Sequence, residues 1–185
     1  MRNLLLPLAL LLAACPEQVG QQCPPNTSVV GQYTLVFAPQ RVPGECTLST
    51  DGGHLTVDNR GAQAAMLCLA RAADGGPQLD LIVAGQSGVR TSELEEDGGF
   101  HFLTDAGTTS GTACSCDVDV VETIDGFLLS GAADAGFSFQ PDGGPPLVTG
   151  LSGNLTDHLT GTSSPQPCLC TFPCTVTYLL SGTRF

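Results

Sequence analysis

Apolar and polar residues alternate along most of the chain from residue 31 onwards. A two-residue period is typical of β-strands that bury one face, and no segment after residue 31 has a convincing helical period. The pattern therefore predicts an all-β domain of about ten short strands in hairpins, packed as an antiparallel sandwich or barrel. The alternation is clearest at residues 31–38, 53–59, 78–84 and 99–104, and around Phe127, Leu129, Phe137 and Phe139.

Two segments also admit a helix. Residues 63–71 are rich in Ala, Met and Leu, and within residues 147–160 Leu151, Leu155 and Leu159 follow one another at a spacing of four. No N-cap residue precedes the first segment, and glycines and threonines interrupt the second. We therefore expect a strand at residues 63–71 and two strands within residues 147–160.

Asp-Gly-Gly recurs between the predicted strands, at Asp51, Asp74, Asp97 and Asp142. An Asp side chain stabilises a tight turn, and glycine supplies the positive φ that hairpin turns require. The first three copies lie 23 residues apart, which suits a meander of hairpins. These turns match neither the EF-hand nor the nonapeptide calcium pattern, so turns are favoured, with weak surface calcium binding as the alternative.

Charge excludes some partners. The 185 residues carry 18 acidic side chains against six arginines and no lysine, a formal net charge of -12. Neutralising phosphates requires clustered basic residues, so no nucleic-acid partner is expected. A polybasic contact with a membrane surface is excluded for the same reason.

The first 15 residues have the order of an export signal. Arg2 precedes an apolar run from Leu4 to Ala14, too short to span a bilayer, and Cys15 follows at once. The tetrad Leu12-Ala13-Ala14-Cys15 resembles the lipobox of bacterial lipoproteins. The resemblance implies that residues 1–14 are a signal peptide removed before Cys15, and that Cys15 carries a diacylglycerol and usually a further acyl chain, such as palmitate. An ordinary secretory signal, with Cys15 free or in a disulfide, is the alternative.

The resemblance also implies where the protein resides. Residue 16 is Pro and not the Asp that retains lipoproteins in the inner membrane, so we expect a bacterial envelope protein anchored in the outer membrane. Residues 15–30 are rich in Pro and Gln and predict a tether. Residues 31–185 then form a single β domain.

Eight cysteines follow Cys15, an even number in an exported chain, which predicts a disulfide framework. Two Cys-x-Cys motifs lie on the apolar faces of predicted strands. We expect those strands to be antiparallel, with Cys114 bonded to Cys170 and Cys116 to Cys168.

Strand geometry places fewer constraints on the pairing of the remaining four cysteines. Cys46 with Cys68 would join an early pair of strands, and Cys23 with Cys174 remains by elimination. A metal site is the alternative for the Cys-x-Cys motifs. Structural zinc sites usually place two to four residues between paired ligands, so no metal site is assigned.

No catalytic or cofactor-binding residue is assigned either. The G-x-S-x-G motif is incomplete at residues 85–89 and 150–153. His54 and His101 fall on the polar faces of their predicted strands, His158 lies in a polar stretch, and no H-E-x-x-H pair is present. We therefore expect no cofactor and no enzymatic activity.

Three hypotheses follow. The first is a lipid-anchored envelope lipoprotein that acts as a non-catalytic binding or structural module, with an envelope partner that the sequence does not identify. The second rests on Gly31-Gln32-Tyr33, which resembles the start of a lipocalin-type barrel and implies a small-ligand carrier, although Tyr33 stands where tryptophan is usual. The third is a hydrolase whose Ser, His and Asp are distant in sequence.

Overall fold

The computed structural model describes residues 22–41, 43–47, 60–71, 73, 75–109, 114–131, 147–162 and 168–185. These residues form one antiparallel sheet of eight strands in the order β4-β3-β2-β1-β8-β7-β6-β5. The strands are β1 (Ser28–Gln40), β2 (Ala62–Arg71), β3 (Pro77–Val83), β4 (Arg90–Glu93), β5 (Gly99–Thr109), β6 (Val118–Ser130), β7 (Val148–Gly161) and β8 (Cys174–Arg184).

The sheet curls into a nearly closed up-and-down barrel. β1 pairs with both β2 and β8, so the first and last strands meet. The two sheet edges, β4 and β5, are consecutive in the chain and are joined by the bridge between Leu94 and Phe100 and by the bond from the His101 backbone N–H to Ser92 Oγ, 2.8 Å long. We call this junction the seam.

The prediction of an all-β, antiparallel, disulfide-linked domain is confirmed, and the architecture is a barrel, not a sandwich. Eight strands are described against the ten predicted, and several have 11 to 14 residues, longer than the short strands expected. The strands expected at residues 53–59 and around Phe137 and Phe139 lie outside the described residues.

Both helix-or-strand segments are strands. Residues 63–71 belong to β2, and the two strands expected within residues 147–160 are the single strand β7. Leu151, Leu155 and Leu159 all point inward. A spacing of four is twice the strand period, so these leucines occupy every second inward position.

The alternation predicted from the sequence separates the inside of the barrel from the outside. On β6 the even positions are buried or partly buried, and most odd positions are exposed. Bulky side chains fill the described interior, as an eight-stranded barrel allows. The largest fully buried ones include Tyr33, Phe102, Leu35, Leu67, Leu79, Ile124, Leu155 and Leu180.

Two facing glycines allow β6 and β7 to approach closely. Gly126 and Gly153 are partners in the register. A Cβ on Gly153 would lie 2.1 Å from the backbone oxygen of Asp125, and a Cβ on Gly126 would lie 2.4 Å from that of Ser152. A backbone oxygen within a paired ladder cannot turn aside as a side chain can, so both positions require glycine.

Gly153→Ala is therefore expected to lower the free energy of unfolding by roughly 1–3 kcal/mol, the usual cost of overpacking. Urea unfolding of the purified domain measures the loss. The matched control is Asn154→Ala at the adjacent exposed position, which should change stability by less than about 0.5 kcal/mol. Equal stability of the two variants would contradict the close approach.

The disulfides agree with the predicted pairing at the Cys-x-Cys motifs and differ elsewhere. Cys114 bonds to Cys170 and Cys116 to Cys168, as expected. The expected pairing of the two strands is wrong, because the four cysteines lie just before β6 and β8, and β7 separates these strands in the sheet. The four sulfurs are bonded in disulfides and are not thiolates that could bind a metal.

The pairs Cys46–Cys68 and Cys23–Cys174 are wrong; the bonds are Cys23–Cys68 and Cys46–Cys174. Cys68 is an outward-facing residue of β2, and the segment before β1 crosses it, with the Cys23 sulfur 3.6 Å from the sulfur of Met66. Cys46 follows β1 and lies beside the start of β8, where its N–H donates to the Thr175 carbonyl.

The segment predicted as a tether is partly structured. β1 begins at Ser28, and Cys23 is bonded to the sheet, so residues 23–30 belong to the domain. The lipobox and Cys15 lie outside the described residues.

Candidate functional site

The two ends of the barrel differ in chemistry. Three disulfides, Cys46–Cys174, Cys114–Cys170 and Cys116–Cys168, lie at the end where β6 and β8 begin, which we call the cystine end. The opposite end, where β1 begins and β2 turns into β3, holds a cavity and is called the cavity end.

A cluster of four charged side chains lies inside the barrel towards the cystine end. Glu122 of β6 and Asp157 of β7 are register partners, and both side chains are buried. Arg60, which precedes β2, donates from Nη1 to Glu122 Oε2 at 2.8 Å and from Nη2 to Asp157 Oδ2. Arg90 of β4 donates from Nε and Nη2 to Glu122 Oε1, at 3.0 and 2.6 Å. The two arginines balance the two carboxylates, which would otherwise repel each other.

An aromatic ring completes the environment of Arg60. Its guanidinium carbon lies 4.9 Å from the centre of the Tyr178 ring, within cation–π range. Burial disfavours its charge, but the carboxylates of Asp157 and Glu122 outweigh that effect, and the pKa of Arg60 lies above its usual value. The guanidinium is therefore charged at neutral pH.

Asp157 is less well satisfied than Glu122. Its Oδ1 is buried and has no hydrogen-bond partner among the described residues, although buried carboxylate oxygens nearly always have one. Burial raises the pKa of Asp157 above its usual value, and Arg60 opposes that rise. The cluster therefore contains one acceptor whose hydrogen-bonding capacity is unused.

The Arg90–Glu122 pair also holds the seam. Arg90 stands on the edge strand β4, and Glu122 stands on β6, the strand beyond the other edge strand β5. The ion pair therefore crosses the barrel interior behind β5. It links strands that share no backbone hydrogen bond.

Glu122→Gln is expected to lower the free energy of unfolding by about 3–5 kcal/mol, because it leaves two partly buried arginines with one carboxylate between them. Denaturant unfolding at neutral pH measures the loss. Asp119→Asn, which changes an exposed carboxylate on the same strand, is the control and should cost less than about 0.5 kcal/mol. A Glu122→Gln variant as stable as this control would show that the ion pairs do not support the fold.

The cavity lies at the opposite end of the barrel and has a volume of about 500 Å³. The cavity lies where β1 begins beside the β2–β3 hairpin. The register pairs at this point are Ser28 with Leu69 and Arg71 with Pro77. The described lining combines apolar surface with one cationic side chain and consists of Asn26, Ser28, Leu69, Ala70, Arg71, Gly75 and Pro77.

Tyr33 separates the packed interior from this end. Its ring lies against Gly31, towards the start of β1, and its hydroxyl donates to the Val148 carbonyl at 3.2 Å. Burial raises the pKa of Tyr33 to about 12, so it remains a neutral donor. The Tyr33 ring thus fills the barrel interior at this point. The resemblance to a lipocalin-type barrel predicts a tryptophan at this position.

The histidines do not assemble a hydrolase site among the described residues. His101 Nδ1 lies 2.5 Å from Asp125 Oδ1, but both side chains are more than half exposed on the outer face. Ser92, which contacts the His101 backbone, points inward, so its hydroxyl and the imidazole lie on opposite faces of the sheet. His158 is exposed, and His54 lies outside the described residues.

The described part of the chain contains no group of three His, Cys, Asp or Glu side chains placed to hold a metal ion. It also contains no helix with the length and hydrophobicity needed to cross a membrane.

The sequence interpretation missed the charged cluster. A signal was present, because Glu122 shares its parity with Val118 and Ile124, and Asp157 shares its parity with Leu155 and Leu159. A charge at an inward position of a strand predicts a buried partner. Arg60 lies outside the strands and carries no such signal.

Comparisons with protein-family models, with curated proteins and with solved structures find no match to this chain.

Proposed function

We propose that this chain is a lipid-anchored lipoprotein of the bacterial envelope whose barrel binds a small apolar ligand without catalysis. The observation that carries the proposal is the cavity of about 500 Å³ at one end of a nearly closed eight-stranded barrel. Small-molecule sites commonly have volumes of about 300–1,000 Å³ and occur in the mouths of β-barrels. Leu69, Ala70 and Pro77 supply apolar contacts, and Arg71 supplies a cation for a polar or anionic end of the ligand.

A non-catalytic role is supported by the placement of the side chains that hydrolysis would need. His101 and Asp125 lie on the outer face, and the neighbouring Ser92 hydroxyl lies inside. The cavity lining contains no histidine, carboxylate or thiol among its described residues. This chemistry suits binding and transport.

The lipid anchor is proposed from the resemblance of residues 12–15 to a lipobox. The disulfides of the domain also suit the oxidising bacterial envelope. Outer-membrane sorting is proposed from Pro16. Because Cys23 is bonded to β2, seven residues separate Cys15 from Cys23, and the eight Cα–Cα steps between these cysteines reach at most roughly 28 Å. Asn26 follows Cys23 and lines the cavity, so the anchor would keep the cavity end close to the bilayer.

Cys15→Ser is expected to abolish acylation, because serine offers no thiol for the diacylglycerol. Metabolic labelling with a radioactive or clickable fatty acid, followed by membrane fractionation, measures the effect. The wild type should be labelled and sediment with membranes, and the variant should be unlabelled and soluble. Unchanged labelling of the variant would refute the anchor.

The cavity is tested with 1-anilinonaphthalene-8-sulfonate, an apolar dye carrying one negative charge. Leu69→Trp should place a bulky indole in the cavity and weaken dye binding at least tenfold, measured by fluorescence titration. Leu179→Trp, at an exposed position on the outer face of β8, is the matched control and should leave binding unchanged. Absence of saturable binding by the wild type, or equal binding by the two variants, would refute the binding function.

A further inference from the structure

We propose that Glu122, Asp157 and Tyr178 form a binding site for a small organic ammonium ion, which the side chain of Arg60 occupies in the structure. This site lies towards the cystine end, separate from the cavity at the other end of the barrel. It extends the binding role to a second ligand of opposite charge.

The groups at this site are those that recognise an organic cation. Two carboxylates stand side by side on β6 and β7, with 6% and 11% of their side chains exposed. The face of Tyr178 lies against the positive charge that they hold. Carboxylates provide charge-assisted acceptors, and an aromatic face adds cation–π attraction, so the site selects for a cation with N–H donors.

Arg60 does not use all of the acceptors. It reaches Glu122 Oε2 and Asp157 Oδ2. Asp157 is only 7% exposed, and its Oδ1 is buried with no donor in the described part of the chain. A primary ammonium group has three N–H donors that point in three directions. It can therefore serve both oxygens of Asp157 and one oxygen of Glu122.

Arg60 is the member of the cluster that can be displaced. Its backbone precedes β2 and belongs to no strand, whereas Glu122, Asp157 and Arg90 stand on paired strands. Its side chain is 24% exposed, the largest value in the cluster. Gly61 follows it with a positive φ of 67°, a conformation that glycine adopts without steric cost. The guanidinium can move to solvent while the strands remain in place.

Charge balance decides the class of ligand. With Arg60 displaced, Arg90 would face two carboxylates, and the cluster would carry one net negative charge. A monocation restores neutrality, whereas a neutral or anionic ligand leaves a buried charge uncompensated. The net charge of -12 also raises the concentration of cations around the protein.

Butylammonium is the probe, with butanol and butyrate as neutral and anionic controls of the same chain length. Binding to the full domain is measured by NMR titration and isothermal calorimetry. We expect saturable binding of butylammonium alone, at least tenfold tighter binding by Arg60→Gln, and at least tenfold weaker binding by Asp157→Asn. Asp119→Asn, an exposed carboxylate on β6, should bind as the wild type does.

Binding by Arg60→Gln no tighter than by the wild type, or equal binding of butanol, would overturn the proposal. If Arg60→Gln does not fold, the wild type and Asp157→Asn decide, since equal affinity of these two would overturn it as well. Displacement of 1-anilinonaphthalene-8-sulfonate by butylammonium would assign the cation to the cavity and also refute the site. Dye binding without butylammonium binding would leave the cavity function intact and remove this inference alone.

Discussion

The carboxylate of Glu122 accepts hydrogen bonds from two arginines that reach it from different parts of the sheet. Arg90 comes from the edge strand β4 and Arg60 from the segment before β2. The barrel closes only if β4 and β5 stay together, and their direct backbone pairing is confined to a single bridge. A buried ion network contributes little net stability over apolar packing, but the loss of one partner is costly. The network of Glu122, Arg60 and Arg90 therefore determines mainly which strands face each other, and it adds less to the free energy of unfolding.

Much of the fold is predictable because side-chain parity carries the necessary information. Cys114 and Cys116 precede β6 but continue its inward parity, and they bond to a second Cys-x-Cys pair, Cys168 and Cys170, which precedes β8. Pairing of Cys23 and Cys46 is not predictable in this way, since neither cysteine belongs to a Cys-x-Cys motif that continues the alternation of a strand. Their partners depend on where a connecting segment crosses the barrel, and local pattern does not record that path.

In the candidate sites too, some residues are predictable from the sequence pattern and others are not. Glu122 and Asp157 stand at inward positions of strands, so a parity rule applied to charged residues would identify them. The cavity lies among the neighbouring strands β1, β2 and β3, but its lining residues lie at strand ends, where alternation carries no information. The contact of Arg60 with β6 depends on the curl of the whole sheet, which brings the segment before β2 across the interior to β6. That arrangement is long-range, because the pairing of β1 with β8 joins distant parts of the chain.

The bond between Cys23 and Cys68 also determines how the domain responds to mechanical force. A pull on the N-terminal end would enter the sheet through a covalent bond at the middle of β2, before it reached the first residue of β1. β2 is hydrogen-bonded on both sides, to β1 and β3, so the load would be carried by several strands at once. The force would therefore not break the first hydrogen bonds of β1 one at a time.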